Sequence, residues 1–189
     1  MTAVEDWDLA RNAAAGDTDA FVALVNRYQK PVIRFCYRMS GSRADAEDVA
    51  QETFVNLYRS LGRLRRECAF STVVFCYARN AMLNHLRGAG RRGRHLQAFQ
   101  REQDGTASAA LRPDRRAQAA DAAAMLEAGM AALPPEFREV FLLREFQGID
   151  YQGIADIVGC PVGTVRSRLA RAREQLRAHL ADRYGDELL

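Results

Sequence analysis

Residues 150–176 read DYQGIADIVGCPVGTVRSRLARAREQL, two helical stretches about a tight turn. Asp150 is a natural N-cap for a short helix that buries Ile154, Ile157 and Val158, and Gly159, Cys160 and Pro161 supply the turn. Stepping 100° per residue from Val165 gathers Val165, Leu169, Ala172 and Leu176 into one apolar stripe. The opposite face is small, with Gly163, Ser167 and Ala170. Arg166 and Arg171 flank it, and Arg168 and Arg173 sit closer to the stripe. A narrow outer face between guanidinium forks suits the major groove of duplex DNA, where arginine reaches base edges or phosphates. Taken alone, an arginine-rich amphipathic helix reads as a solvated surface helix; the turn and the first helix make the pattern a helix-turn-helix. Gly153, inside the first helix, softens it by about 0.5–1 kcal/mol relative to Ala.

The 189 residues, 48% of them apolar, are enough for one or two small cored domains. No run approaches the roughly 18 apolar residues of a membrane span, and the acidic opening TAVEDWD lacks a signal-peptide layout. The expected location is therefore the cytoplasm, without membrane insertion. Net charge is only +3, yet it is unevenly spread. Between residues 62 and 94 stand Arg63, Arg65, Arg66, Arg79, Arg87, Arg91, Arg92 and Arg94 against the single acid Glu67, a candidate surface for a polyanion. Residues 118–156 are net acidic, which argues against a uniformly adhesive surface. Cys36, Cys68, Cys76 and Cys160 form no CxxC pair, and His85, His95 and His179 form no spaced cluster. Buried free thiols and no metal are expected. With no Gly-rich phosphate loop and no nucleophile elbow, neither a cofactor nor an enzymatic activity is expected.

Taken in order, residues 1–17 form a lead-in and 16–18 a cap. Phe21, Leu24, Val25 and Tyr28 then recur at helical spacing. Pro31 predicts a kink or two abutting helices that end at Gly41. The next helix, from near Ala44, carries a buried stripe of Ala46, Val49, Ala50, Thr53, Phe54 and Leu57. Asp48, Gln51, Glu52, Asn56 and Arg59 share its outer face. Residues 62–70, GRLRRECAF, read as an arginine-bearing loop, and Ser71 or Thr72 as the cap of a helix continuing to Arg87. That helix turns Val74, Ala78, Ala81, Met82 and His85 inward. Thr72, Val73, Cys76, Arg79, Asn80, Asn84 and Arg87 form a second, mostly polar face, and amides and arginines beside aromatics are what unstacked bases require.

Residues 89–117 lose periodicity and read as a linker, flexible in GAGRRGR and DGTAS. Extended, roughly thirty residues reach on the order of 100 Å, so the two halves can occupy one DNA without touching. Residues 118–184 form the second unit. One helix carries Ala122, Met125, Leu126, Gly129 and Met130, and a second begins at Pro135 with Phe137, Val140, Phe141 and Leu143 inward. Gly148 stops it before the helix-turn-helix. No strand-like alternation occurs, so the fold class is all-α: two small helical domains on a linker.

The series DAEDVAQETFVNLY, FSTVVFCYARNAMLNHLR and LPPEFREVFLLREFQGIDYQGIADIVGCPVGTVRSRLARAR, in this order, resembles the extracytoplasmic-function group of bacterial RNA polymerase sigma factors over residues 18–178. The resemblance implies sigma region 2 (18–88) and sigma region 4 (118–184), with promoter-directed transcription initiation as the function. It implies that Asp48, Gln51, Glu52 and Asn56 bind core RNA polymerase. It places Arg63, Arg65, Arg66, Phe70, Phe75, Tyr77, Arg79, Asn80, Asn84 and Arg87 at the −10 element, recognised and held open as single strands. Arg166, Ser167 and Arg171 would read the −35 duplex, with Thr164, Arg168 and Arg173 toward phosphates. An anti-sigma factor is implied as a further partner. Two residues depart from the group's pattern: Val73 stands where Trp is usual, leaving Phe70, Phe75 or Tyr77 to supply the aromatic surface, and Gly153 stands where Glu is usual. The competing reading is a dimeric regulator that binds duplex DNA through the helix-turn-helix alone, which leaves residues 45–87 without a role.

Overall fold

Side chains that the sequence supplies open three of the helices. Asp17 accepts the Ala20 N–H at 3.1 Å, Ser42 that of Asp45 at 3.2 Å and Asp150 that of Gly153 at 2.7 Å, each satisfying a donor the first turn leaves unpaired. The computed structural model describes residues 5–96 and 115–184, with side chains over 5–88 and 124–181. Among them the elements are α1 (Asp6–Ala14), α2 (Thr18–Ser40), α3 (Arg43–Ser60), a 3₁₀ turn at Leu61–Arg63, α4 (Phe70–Leu96), α5 (Arg115–Ala132), α6 (Pro135–Phe141), α7 (Tyr151–Val158) and α8 (Val162–Tyr184). A π turn at Leu142–Phe146 continues α6. The described residues contain no strand, as the absence of alternation predicts.

The amino-terminal half packs α2, α3 and α4 together, with α1 laid across α2 and the 3₁₀ turn. All six residues of the predicted α3 stripe are buried. They meet Leu24, Val32 and Phe35 from α2 and Val74, Phe75 and Met82 from α4, and Phe35 and Phe75 pack edge-on at 5.7 Å. Each of the larger of these, the Val, Leu, Phe and Met side chains, contributes about 1.5–3 kcal/mol by leaving water. In the carboxy-terminal half the α8 stripe of Val165, Leu169, Ala172 and Leu176 closes over Ile154, Ile157, Leu142 and Leu143.

Several local expectations change. Pro31 lies inside one continuous α2, because an anchored helix can tolerate one missing N–H when its apolar face on either side remains buried. Neither Ser71 nor Thr72 caps α4: the helix starts at Phe70, and the N–H groups of Thr72 and Val73 both take the Ala69 carbonyl. Its backbone then stays helical through Leu96, across the GAGRRGR stretch predicted to be flexible, since extending an existing helix is far cheaper than starting one. The DGTAS stretch and Pro113 lie outside the described residues. Of the thiols, Cys36 alone is buried, and burial pushes it up to about 12; Cys68, Cys76 and Cys160 are half-buried.

The larger difference is between the halves. A linker long enough to keep them apart says nothing about what their surfaces prefer, and here they touch: α4 lies on α7, and α2 on α5 and α6. Arg138 donates to the Arg38 and Met39 carbonyls at the end of α2, both at 3.4 Å, and to those of Ala131 at 2.5 Å and Leu133 at 3.0 Å at the end of α5. One guanidinium thus meets the electronegative ends of two helices. Arg38 reaches back to Glu127 at 2.6 Å, with its guanidinium 3.9 Å over the Phe146 ring.

Candidate nucleic-acid interface

The carboxy-terminal arginines stand on a helix whose inward face is fully committed to the core, so their outward direction is set by packing. Asp150 fixes the start of α7. Gly159, at φ +72°, turns the chain after it, where its own N–H and that of Cys160 both take the Ala155 carbonyl. On α8, Gly163, Ser167 and Ala170 are exposed between the exposed Arg166 and Arg171. The Ser167 hydroxyl donates to the Thr164 carbonyl at 2.9 Å, and Thr164 is half-buried. Arg166 stands 5.6 Å over the Tyr151 ring, a contact that leaves its N–H donors uncommitted to the ring. Arg168 is half-buried, 4.0 Å from Glu139. Arg173 is exposed and donates to Glu145 at 2.5 Å, a bond that pushes its guanidinium pKa up. Arg166 and Arg171 are thus presented outward, while Arg168 and Arg173 each carry an acidic neighbour.

The amino-terminal candidates divide differently. Arg63, which ends the 3₁₀ turn, and Arg65 and Arg66, on the loop after it, are exposed, and Arg66 is paired with Glu5 at 2.8 Å. Asn80, Asn84 and Arg87 are exposed along α4, and the Asn80 amide donates to the Cys76 sulfur at 3.7 Å. Arg79 is not available in this arrangement. Its Nε donates to Glu139 at 2.9 Å and its Nη1 to the Ile157 carbonyl at 3.3 Å, with only 17% and 6% of the Arg79 and Glu139 side chains exposed. Phe70 and Phe75, expected to face opened bases, are instead core residues at 2% exposure each. The 100° wheel placed neither, because Phe70 is claimed by Trp7 and Tyr28, and Phe75 by Phe35, from elements far away in sequence. Tyr77 is half-buried, as is Val73.

Gly153 has a geometric reason. A Cβ there would lie 2.8 Å from the Ile149 side chain and 3.0 Å from the Thr72 hydroxyl of α4. Thr72 is itself buried, so glycine is what lets α4 approach α7 this closely.

On α3, Asp48, Gln51 and Glu52 are exposed and Asn56 is half-buried. Beside them, between α2 and α3, runs a groove of about 590 Å³ lined by Phe21, Val25, Ile33, Phe54, Val55 and Tyr58, with Gln51 and Glu47 on its edge. Val55 and Tyr58 are 42% and 50% exposed. Sequence reasoning missed this apolar partner to the acidic face; the signal was the pair Val55 and Tyr58 standing off the buried stripe. Among the described residues no group of His, Cys, Asp and Glu is placed to hold a metal ion, and no helix is long and apolar enough to cross a membrane.

Comparison with known proteins places both halves. Residues 24–92 match the family described as Sigma-70 region 2, and residues 123–176 match Sigma-70, region 4. The RNA polymerase sigma-H factor of Pseudomonas aeruginosa is 36% identical over 183 residues, covering 93% of this chain and 94% of that one. The ECF RNA polymerase sigma-E factor of Haemophilus influenzae is 35% identical over 176 residues, covering 90% and 93%. Among solved structures, CnrH in complex with the cytosolic domain of CnrY aligns with a TM-score of 0.68 at 26% identity, over 94% of this chain and 98% of that one.

Proposed function

The chain belongs to the extracytoplasmic-function sigma factors of the sigma-70 family, and from that premise we propose that it directs core RNA polymerase to promoters by reading the −35 duplex and opening the −10 element. Residues 118–184 are the duplex reader, with Arg166, Ser167 and Arg171 toward bases and Thr164, Arg168 and Arg173 toward phosphates. Residues 18–88 hold polymerase through Asp48, Gln51, Glu52 and Asn56. They hold opened DNA through Arg63, Arg65, Arg66, Tyr77, Arg79, Asn80, Asn84 and Arg87. The chain supplies address and strand separation in the cytoplasm, and polymerase supplies the chemistry. Unstacking a base costs a few kcal/mol per step, which contacts from α4 and its loop offset once polymerase holds both halves in place.

The observation that carries this reading is the exposed Asp48, Gln51 and Glu52 face beside an uncovered apolar groove, a docking surface that a plain duplex-binding regulator has no use for. Arg79 can reach DNA only after it leaves Glu139, so promoter binding on this account requires the two halves to part. An anti-sigma factor that stabilises the closed arrangement would act on that step.

Run-off transcription with core polymerase and mapped start sites tests the reading: the purified chain should programme initiation, and failure at every promoter would sink it. The double substitution Gln51→Ala with Glu52→Ala should weaken capture of core polymerase in a pull-down or titration while duplex −35 binding is retained. Unchanged capture removes those residues from the docking surface.

A further inference from the structure

Helix α1 takes no part in the contacts proposed above, yet it is built onto the 3₁₀ turn and following loop that carry three of them. The loop after the 3₁₀ turn has little internal reason to hold one shape. Its backbone bonds are a Leu64 N–H to the Leu61 carbonyl at 3.2 Å and a tight Glu67 to Arg65 turn at 2.9 Å. Support comes from α1 instead. The Trp7 indole N–H donates to the Cys68 carbonyl at 2.9 Å, and its ring stands edge-on to Phe70 at 5.2 Å. Glu5 takes Arg66 at 2.8 Å. At the loop's start, Trp7 and Ala10 share a cleft of about 290 Å³ with Leu61 and Leu64.

This support is itself anchored. Leu9, Ala10 and Ala13 are buried against the core, and Asp6 accepts the Tyr28 hydroxyl at 2.5 Å and pairs with Arg27. Burial and the Asp6 bond push the Tyr28 phenol up, so it remains a donor. An indole N–H committed to a loop carbonyl fixes the loop's distance from α1 at one end, and the buried Phe70 fixes where α4 takes over. Arg63, at the end of the 3₁₀ turn, and Arg65 and Arg66, in the loop after it, lie just upstream of these two anchors.

We propose that α1 positions the arginine loop: Trp7 sets its register against opened −10 DNA through Cys68 and Phe70, and Glu5 holds Arg66 until a phosphate displaces it. The inference rests on the assignment of this loop to the −10 element. Trp7 and Glu5 are positioning residues, acting through neighbours rather than on DNA.

The test uses polymerase reconstituted with the full chain, on a mapped promoter whose −10 bases are changed one at a time. Trp7→Phe keeps an aromatic ring beside Phe70, though a smaller one, and removes the N–H. It should compress the rate ratio between the preferred −10 sequence and its single-base variants by roughly 5- to 10-fold, the size of one lost hydrogen bond. Capture of core polymerase and dependence on −35 should stay at the wild-type level. An equal loss on every template reduces α1 to a stabilising element and overturns the proposal, as does an unchanged ratio.

Glu5→Gln should raise affinity for a single-stranded −10 oligonucleotide about two- to threefold at low salt, with the gain vanishing as salt rises; no gain removes Glu5 from the device. Arg65→Ala on the same promoter panel separates the two possible failures. If it weakens −10 dependence where Trp7→Phe does not, the positioning role alone is wrong. If neither does, the loop is not the −10 reader and both fall.

Discussion

Helices α4 and α8 both present arginines along one face, and the closed arrangement treats them in opposite ways. On α8 the outer face is open, and Arg166 and Arg171 are solvent-exposed. On α4 the equivalent centre is taken: Arg79 is clamped by Glu139 and the end of α7, Thr72 is buried, and exposure resumes at Asn80, Asn84 and Arg87. The same side-chain chemistry is therefore available to a ligand in one half and spent on the protein itself in the other. Charge counted along a sequence measures capacity, whereas the neighbouring acid decides availability.

Removing that acid should break the contrast most forcefully. Glu139→Ala leaves Arg79 half-buried with no counter-charge and takes the nearest acid from Arg168. Stripping one partner from a buried pair costs about 3–5 kcal/mol, read as a lower urea midpoint. The surviving folded molecules should show more widely separated halves. A loss below about 1 kcal/mol would mean that the pair is already solvated and does not hold α4 closed.

The open face is probed by Arg171→Ala, expected to cost about 1–3 kcal/mol at one −35 position and little elsewhere. Arg173→Ala, whose side chain is shared with Glu145, should instead weaken binding to every duplex alike and lower the salt slope by about one. Identical behaviour of the two variants would erase the proposed distinction between base-reading and phosphate-holding residues on α8.

The finest probe is Gly153→Ala. It improves the intrinsic helicity of α7 by up to about 1 kcal/mol but places a methyl group against Ile149 and Thr72. The expected result is a longer distance between fluorophores on α1 and α8, with the thermal midpoint changed by only a few degrees. An unaltered distance would show that Ile149 and Thr72 yield and that glycine is not what admits the close approach.

What the chain announced in one dimension was whatever repeats along a single helix or caps its own first turn. The six-residue stripe of α3, the four-residue stripe of α8 and the caps at Asp17 and Asp150 all depend on neighbours within a few positions. The burial of Phe70 and Phe75 and the pairing of Arg79 escape a one-dimensional reading for one reason: the partners that claim them, Trp7, Phe35 and Glu139, lie 40 to 63 positions away, where no period operates. The contacts of α1 with the arginine loop were invisible on the same grounds. The family motifs pointed to the stretches proposed to bind polymerase and DNA, but they carried no information on which of those residues the closed molecule withholds.

The π turn at Leu142–Phe146 also interrupts the regular count of α6, burying Leu142 and Leu143 side by side and bringing the Ile149 N–H back to the Leu143 carbonyl at 3.1 Å. It works as an indexing notch for the unit that follows it. Deleting one residue there would rotate everything beyond it by about 100°. Helix α8 would keep its own shape and arginines, but point them away from the face proposed to meet duplex DNA.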